Sequence, residues 1–144
     1  RQDLEEHLAA LEGGKYGIAF SSGMASADSC MKLLRQGDHV VCCDDVYGGT
    51  ARLFNNLMTN YGVEFTYVDS QVAENVQKAI RPETKMVWVE TPTNPLLKVT
   101  DLEAVGKIAR SNDLLYVVDT TFATPVFLRP LEYGADLVLH STTK

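Results

Sequence analysis

Leu114-Leu115-Tyr116-Val117-Val118-Asp119-Thr120-Thr121 decides the fold: five apolar residues without a polar break, then a carboxylate and two hydroxyls. A strand wetted on one face alternates apolar and polar residues. A strand that is apolar throughout is covered on both faces, as in a parallel sheet between layers of helices. Runs of the same kind stand at 16–20, 40–43, 65–68, 86–89 and 137–139. Between them, segments 24–34, 53–61, 72–80 and 102–109 are amphipathic, the last with a capping box read from Thr100 to Glu103. Leu4, Leu8 and Leu11 place one more helix at the start, ended by Gly13-Gly14, where a helix end takes up positive φ. Arg81-Pro82-Glu83-Thr84 reads as a tight turn into a strand. Strands alternating with helices predict an α/β architecture: a mainly parallel, doubly wound sheet with helices on both faces.

The 144 residues suit one domain. With 45% hydrophobic and 22% charged residues the chain has the means for a packed core, which excludes a disordered or fibrous protein. Thirteen Lys and Arg against nineteen Asp and Glu leave a net charge of −6 and no basic run, so nucleic acid is a poor partner. No apolar stretch approaches the ~18 residues of a membrane span. The charged first residues do not read as a signal segment, so a cytoplasmic location is expected. Cys30, Cys42 and Cys43 offer neither a CxxC pair nor a His spacing suited to zinc, and no metal is expected. Adjacent in a strand, Cys42 and Cys43 are expected to face opposite sides. All three are read as small buried hydrophobes of a reducing compartment.

The segments just after the apolar runs are chemically richer. Ser21-Ser22-Gly23-Met24 comes after Phe20, and Asp44-Asp45-Val46-Tyr47-Gly48-Gly49-Thr50 after Cys43. Glu90-Thr91-Pro92-Thr93-Asn94-Pro95 comes after Val89, and His140-Ser141-Thr142-Thr143-Lys144 after Leu139. With Asp119-Thr120-Thr121, that makes five polar loops, which parallel strands deliver to one carboxyl edge, where open α/β folds bind their ligands. Ser22-Gly23-Met24 opens a helix whose free N–H groups suit a phosphate, while Ser22 as a plain N-cap explains the same residues. Asp119, at the end of a buried strand, calls for a positive partner. A protonated heterocyclic nitrogen and a structural Arg or Lys are two candidates, and helix capping is a third reading. Lys144 is either solvated surface or a nucleophilic amine whose pKa is lowered by burial and nearby positive charge, and its strand-end position favours the amine. Gly48 and Gly49 let a ligand reach the backbone while the Tyr47 ring lies on it, the alternative being a turn tyrosine at the sheet edge. Pro92 and Pro95 hold the Asn94 loop extended and aim its amide, the alternative being an Asx turn.

In order and approximate spacing, Ser21-Ser22-Gly23-Met24, Asp45-Val46-Tyr47-Gly48-Gly49-Thr50, Glu90-Thr91-Pro92-Thr93-Asn94-Pro95, Val118-Asp119-Thr120-Thr121-Phe122 and Ser141-Thr142-Thr143-Lys144 resemble the Cys/Met-metabolism group of pyridoxal 5′-phosphate (PLP) enzymes, which has the aspartate aminotransferase-like (type I) fold. The resemblance covers essentially the whole chain. It implies PLP as cofactor, with Lys144 carrying the Schiff base to its aldehyde and then shuttling protons. Asp119 would pair with the pyridine nitrogen. Tyr47 would stack on the ring and help deprotonate the incoming amine or protonate the leaving sulfur. Gly23 and Met24 would offer N–H groups to the phosphate, and Ser141 and Thr143 their hydroxyls. Thr121 would pack beside the ring, and Asn94 would lie near the phenolic oxygen. Lys144, Tyr47 and Asp119 are thus the expected catalytic residues. Thr120 and Thr142 stand where many relatives carry Asn and Val or Ala, and neither is given a cofactor contact.

The same resemblance implies a sulfur amino acid substrate and γ-elimination of cystathionine to cysteine, 2-oxobutanoate and ammonia, with cystathionine β-elimination or γ-synthesis as alternatives. Gly49 replaces a Cys typical of methionine-cleaving relatives, which argues against methionine. It implies further that residues 1–144 are the cofactor-binding large-domain segment of a longer chain, with an amino-terminal arm and a carboxyl-terminal domain outside it. The segment alone is then expected to be inactive, and the full-length protein to be a homotetramer built from dimers. A nucleotide-binding module without covalent chemistry is the rival class. No GxGxxG or GxxxxGKS/T loop stands after the first strand, which speaks against it. An inactive fragment that keeps the fold without cofactor is the other rival.

Overall fold

The computed structural model describes residues 1–144. Five parallel strands, β1 (His39–Cys43), β2 (Glu64–Val68), β3 (Thr84–Glu90), β4 (Leu115–Asp119) and β5 (Leu137–Leu139), form one sheet in the order β2-β1-β3-β4-β5. Helices cover both of its faces, as the unbroken apolar runs require. Val40 and Cys42 of β1, with Met86 and Trp88 of β3, pack on one side against Met31 of α2 (Gly23–Met31) and against Phe54. Val41, Val87 and Val118 pack on the other side, against Val76 of α4 (Ala73–Ala79) and Val105 of α5 (Leu102–Ser111). Trp88 is fully buried, with the Phe54 ring edge-on to it at 5.2 Å. Each such side chain contributes about 1.5–3 kcal/mol, whereas an exposed ion pair contributes at most about 1 kcal/mol, so these two layers hold the sheet.

The first helix, α1 (Gln2–Glu12), ends on Gly13 at φ 70°, where the sequence places its stop. The turn into β3 also forms, closed by the Thr84 N–H donating to the Arg81 carbonyl over 2.9 Å. The segment read as one helix over 53–61 is composite. An α-helical turn, α3 (Gly48–Arg52), runs into a π-helical turn (Leu53–Leu57) and a 3-10 turn (Met58–Tyr61), which together set Phe54 and Met58 into the core. A short helix, α6 (Thr124–Phe127), and a 3-10 turn (Pro130–Tyr133) lie between β4 and β5. No helix is long and apolar enough to cross a membrane.

Four local expectations are corrected. Residues 16–20 form no strand. Apolar composition makes a strand only where a neighbour supplies a ladder, and here α1 holds the segment instead: the Ala19 N–H donates to Glu5 Oε1 at 2.6 Å. Gly17 lies so close to α1 that a Cβ there would sit 2.1 Å from the Glu5 carbonyl oxygen. The α5 cap is Asp101, which accepts from the Ala104 N–H at 3.0 Å, because the Thr100 hydroxyl is buried against that of Ser70 at 2.7 Å. Cys42 and Cys43 join the same core cluster, since the Cys43 thiol at the strand's end donates to the Asp45 carbonyl at 3.6 Å. The Asn94 loop is a turn rather than extended, drawn in by buried Asp45, which accepts the Thr93 hydroxyl and, at 2.9 Å, the Leu96 N–H. Of the cysteines, Cys42 and Cys43 are buried and Cys30 is half-buried, where loss of water pushes its thiol up to about 11.

Candidate active site

The sheet changes direction at β1: the chain passes outward to β2 and then returns past β1 to β3. Loops leaving β1 and β3 therefore part from one another, and a crevice opens beyond their carboxyl ends. The cavity there measures about 210 Å³. Loops after β1, β3, β4 and β5 reach it from strand ends. The fifth polar loop arrives from the unpaired 16–20 segment, carried in by α2, which packs beside β5.

One corner is built for an anion. Ser22 caps α2, accepting the Ala25 N–H at 3.1 Å, and the first N–H groups of a helix have no intrahelical acceptor. Gly23 and Met24, which own those groups, line the cavity beside Ser141 and Thr143. Gly23 approaches Ser141 closely: a Cβ there would lie 3.0 Å from Ser141 Cβ and 3.2 Å from its hydroxyl oxygen, so Ser141 would have to give way slightly. Ser22 is thus the N-cap of α2, and that role is compatible with a ligand at the N–H groups of Gly23 and Met24.

Asp119 and Thr121 form another wall. Asp119 Oδ1 accepts the Thr121 N–H at 2.9 Å and the Thr121 hydroxyl at 2.7 Å. Those donors are neutral, and the carboxylate makes a turn rather than a helix cap, since α6 is preceded by Ala123. Tyr47 and Asn94 line the remaining sides. Tyr47 depends on the glycine two residues later: a Cβ at Gly49 would meet the Tyr47 ring at 2.4 Å and the Met24 sulfur at 2.8 Å. The Lys144 amine stands over that ring, 5.7 Å from its centroid. Lys144, the last residue of the sequence, is exposed, unlike the buried amine expected.

Sequence reasoning misses two ionisable groups at the site. Glu90, the last residue of β3, lies opposite Asp119 in the strand register and is buried. Burial pushes its carboxyl up to about 7, against the opposing pull of the Tyr47 N–H and with a further push from the Asp119 charge. Like Asp119, Glu90 is a carboxylate closing a buried apolar run, and that position was the available signal. His140 also lines the cavity, and its Nε2 pairs with buried Glu12 of α1. No local pattern announces a pairing between residues so far apart in the chain.

All nine residues expected to touch a cofactor thus line one cavity. It combines an anion corner of backbone N–H and hydroxyl groups, an aromatic wall, a carboxylate and a primary amine. That donor set fits a ligand that is at once a phosphate ester, a flat basic heterocycle and an aldehyde.

Comparison with known proteins finds relatives of the whole chain. Residues 1–144 match the family described as Cys/Met metabolism PLP-dependent enzyme. The chain is 53% identical over 144 residues to the cystathionine gamma-lyase of Bacillus subtilis, covering 100% of this chain and 38% of that protein. It is 50% identical to cystathionine beta-lyase MetC of the same organism and 49% identical to a probable cystathionine gamma-synthase of Herpetosiphon aurantiacus, again across 100% of this chain and over 37% and 45% of those proteins. Among solved structures, that of metB from Corynebacterium glutamicum superimposes with a TM-score of 0.96 at 54% identity, over 98% of this chain and 37% of that one. The chain therefore spans less than half the length of these relatives.

Proposed function

The chain belongs to the Cys/Met metabolism PLP-dependent enzyme family, and from that premise we propose that its cavity holds PLP in a protein that cleaves cystathionine. The observation that supports the reading is that the anion corner, Asp119, Tyr47 and Lys144 line a single cavity. Gly23, Met24, Ser141 and Thr143 bind the phosphate. Asp119, held by the N–H and hydroxyl of Thr121, would pair with the pyridine nitrogen and keep it protonated. Tyr47 would stack on the ring, and Asn94 would serve its phenolic oxygen. When bound, PLP supplies an electron sink for negative charge at the substrate Cα. Lys144 would hold the cofactor through its aldehyde, and its amine would move a proton at the substrate Cα. The Tyr47 hydroxyl is placed to take a proton from the incoming amine or give one to the departing sulfur.

The favoured reaction breaks the bond between sulfur and the γ carbon, so that cystathionine and water give cysteine, 2-oxobutanoate and ammonia. The 53% identity to a cystathionine gamma-lyase supports it, and Gly49 argues against methionine as substrate. β-Elimination and γ-synthesis are the alternatives, favoured by relatives at 50% and 49% identity. Incubating the full-length protein with cystathionine and separating the thiols decides among them. Cysteine with 2-oxobutanoate supports the γ-lyase. Homocysteine with pyruvate identifies the β-lyase, and formation of cystathionine from cysteine and an activated homoserine identifies the synthase. A cytoplasmic homotetramer belongs to the same proposal, and sedimentation of the full-length protein tests its assembly.

A further inference from the structure

Glu90 occupies a place between the two sides of the crevice. Its backbone N–H donates to Cys43 Sγ at 3.2 Å, which pins it to the end of β1. Its Oε2 accepts the Tyr47 N–H at 2.8 Å, and the backbone amide of Asn94 lies near enough to favour the charged carboxylate. One buried carboxyl thus holds the backbone of Tyr47, a cavity-lining residue on another loop, and it stands beside Asp119 on the neighbouring strand. We infer that Glu90 is a positioning residue: it fixes Tyr47 at the cavity wall and, through its charge, biases Asp119 toward a cationic ligand group. This rests on the reading of the site as a PLP site.

The titratable and charged groups around Glu90 come from three sides. Cys43, Asp45 and Tyr47 belong to β1 and the loop after it, Asp119 to β4, and His140 and Lys144 to the loop after β5. Desolvation lifts the Glu90 carboxyl to about 7, so it changes charge in the neutral range. When ionised it accepts more strongly from the Tyr47 N–H and adds a negative charge next to Asp119. The second effect favours a bound ring whose nitrogen is protonated. The neutral form keeps the contact to Tyr47 but not the second effect.

The test uses the full-length protein, PLP as the probe, and the variants Glu90→Gln and Glu90→Ala. PLP affinity and the visible circular dichroism of the bound cofactor are measured across the neutral pH range. Glu90→Gln retains an oxygen for the Tyr47 N–H, so its affinity matches the wild type at low pH. The wild type then gains over it with rising pH, to about tenfold. Glu90→Ala, which lacks both the acceptor and the charge, loses about tenfold in affinity at low pH and more as pH rises, and it weakens the cofactor dichroism, with far-ultraviolet dichroism confirming a folded protein. A ratio between wild type and Glu90→Gln that stays flat with pH overturns the inference, as does an unaltered cofactor signal in folded Glu90→Ala. A wild type that takes up no PLP overturns the underlying reading as well, which separates the two failures.

Discussion

The Thr121 hydroxyl donates to Asp119 Oδ1 over 2.7 Å while its oxygen accepts the Ser141 N–H over 2.9 Å. One side chain therefore ties the carboxylate at the end of β4 to the anion corner after β5. Replacing Thr121 by Val keeps the shape and removes both bonds. Cofactor affinity is expected to fall about tenfold, as the loss of a charge-assisted hydrogen bond dictates. Fluorescence titration with PLP checks this, and an unchanged affinity refutes the coupling.

Lys144 has the one amine in the cavity placed over the Tyr47 ring. Borohydride reduction of the full-length protein loaded with PLP is expected to fix the cofactor covalently at this residue. Lys144→Ala is expected to release all cofactor on denaturation after the same treatment. Mass spectrometry reads both, and cofactor fixed elsewhere would disprove the assignment.

Gly49 leaves no room for a side chain, as a Cβ would intrude on the Tyr47 ring at 2.4 Å. Gly49→Ala is expected to displace that ring and cost about 1–3 kcal/mol in stability through overpacking. The variant should also raise the PLP dissociation constant. Urea unfolding and cofactor titration measure the two effects, and a variant equal to wild type in both would show that the ring moves freely.

Glu90 makes stability depend on pH in a defined sense. Its carboxyl loses its proton near the ordinary 4.5 when unfolded and near 7 when folded. Between those values the folded state binds more protons, so stability falls as pH rises through the window and levels off above it. Glu90→Gln abolishes this contribution. Without cofactor, the variant is expected to match wild type at the acid end and to exceed it at the alkaline end, by on the order of 1–3 kcal/mol. Urea midpoints at both ends of the window test this, and parallel pH profiles for the two proteins would contradict it.

The central strands of the sheet were legible because each is apolar on both faces, and burial on both faces leaves no other pattern for residues such as Val117 and Val118, whereas edge strand β2, half-buried and broken by Thr66, carries the weaker signal. The loops were legible for a related reason, since polar residues such as Asp119, Ser141 and Tyr47 cannot continue a buried strand and must gather where the strands end. Residues 16–20 misled because composition records burial preference and not whether a partner strand is present. Thr100 misled because its hydroxyl had a buried partner in Ser70, distant in sequence, that outcompeted the cap.

The sequence by itself determined the α/β class, the parallel sheet and the set of polar residues at its carboxyl edge, because local periodicity and the cost of burying polar groups dictate them. Only the tertiary structure decided the strand order and with it the crevice beyond β1 and β3, the pairing of His140 with Glu12, and the contact of Glu90 with Tyr47. These depend on which elements become neighbours, a choice set by packing between residues far apart in the chain.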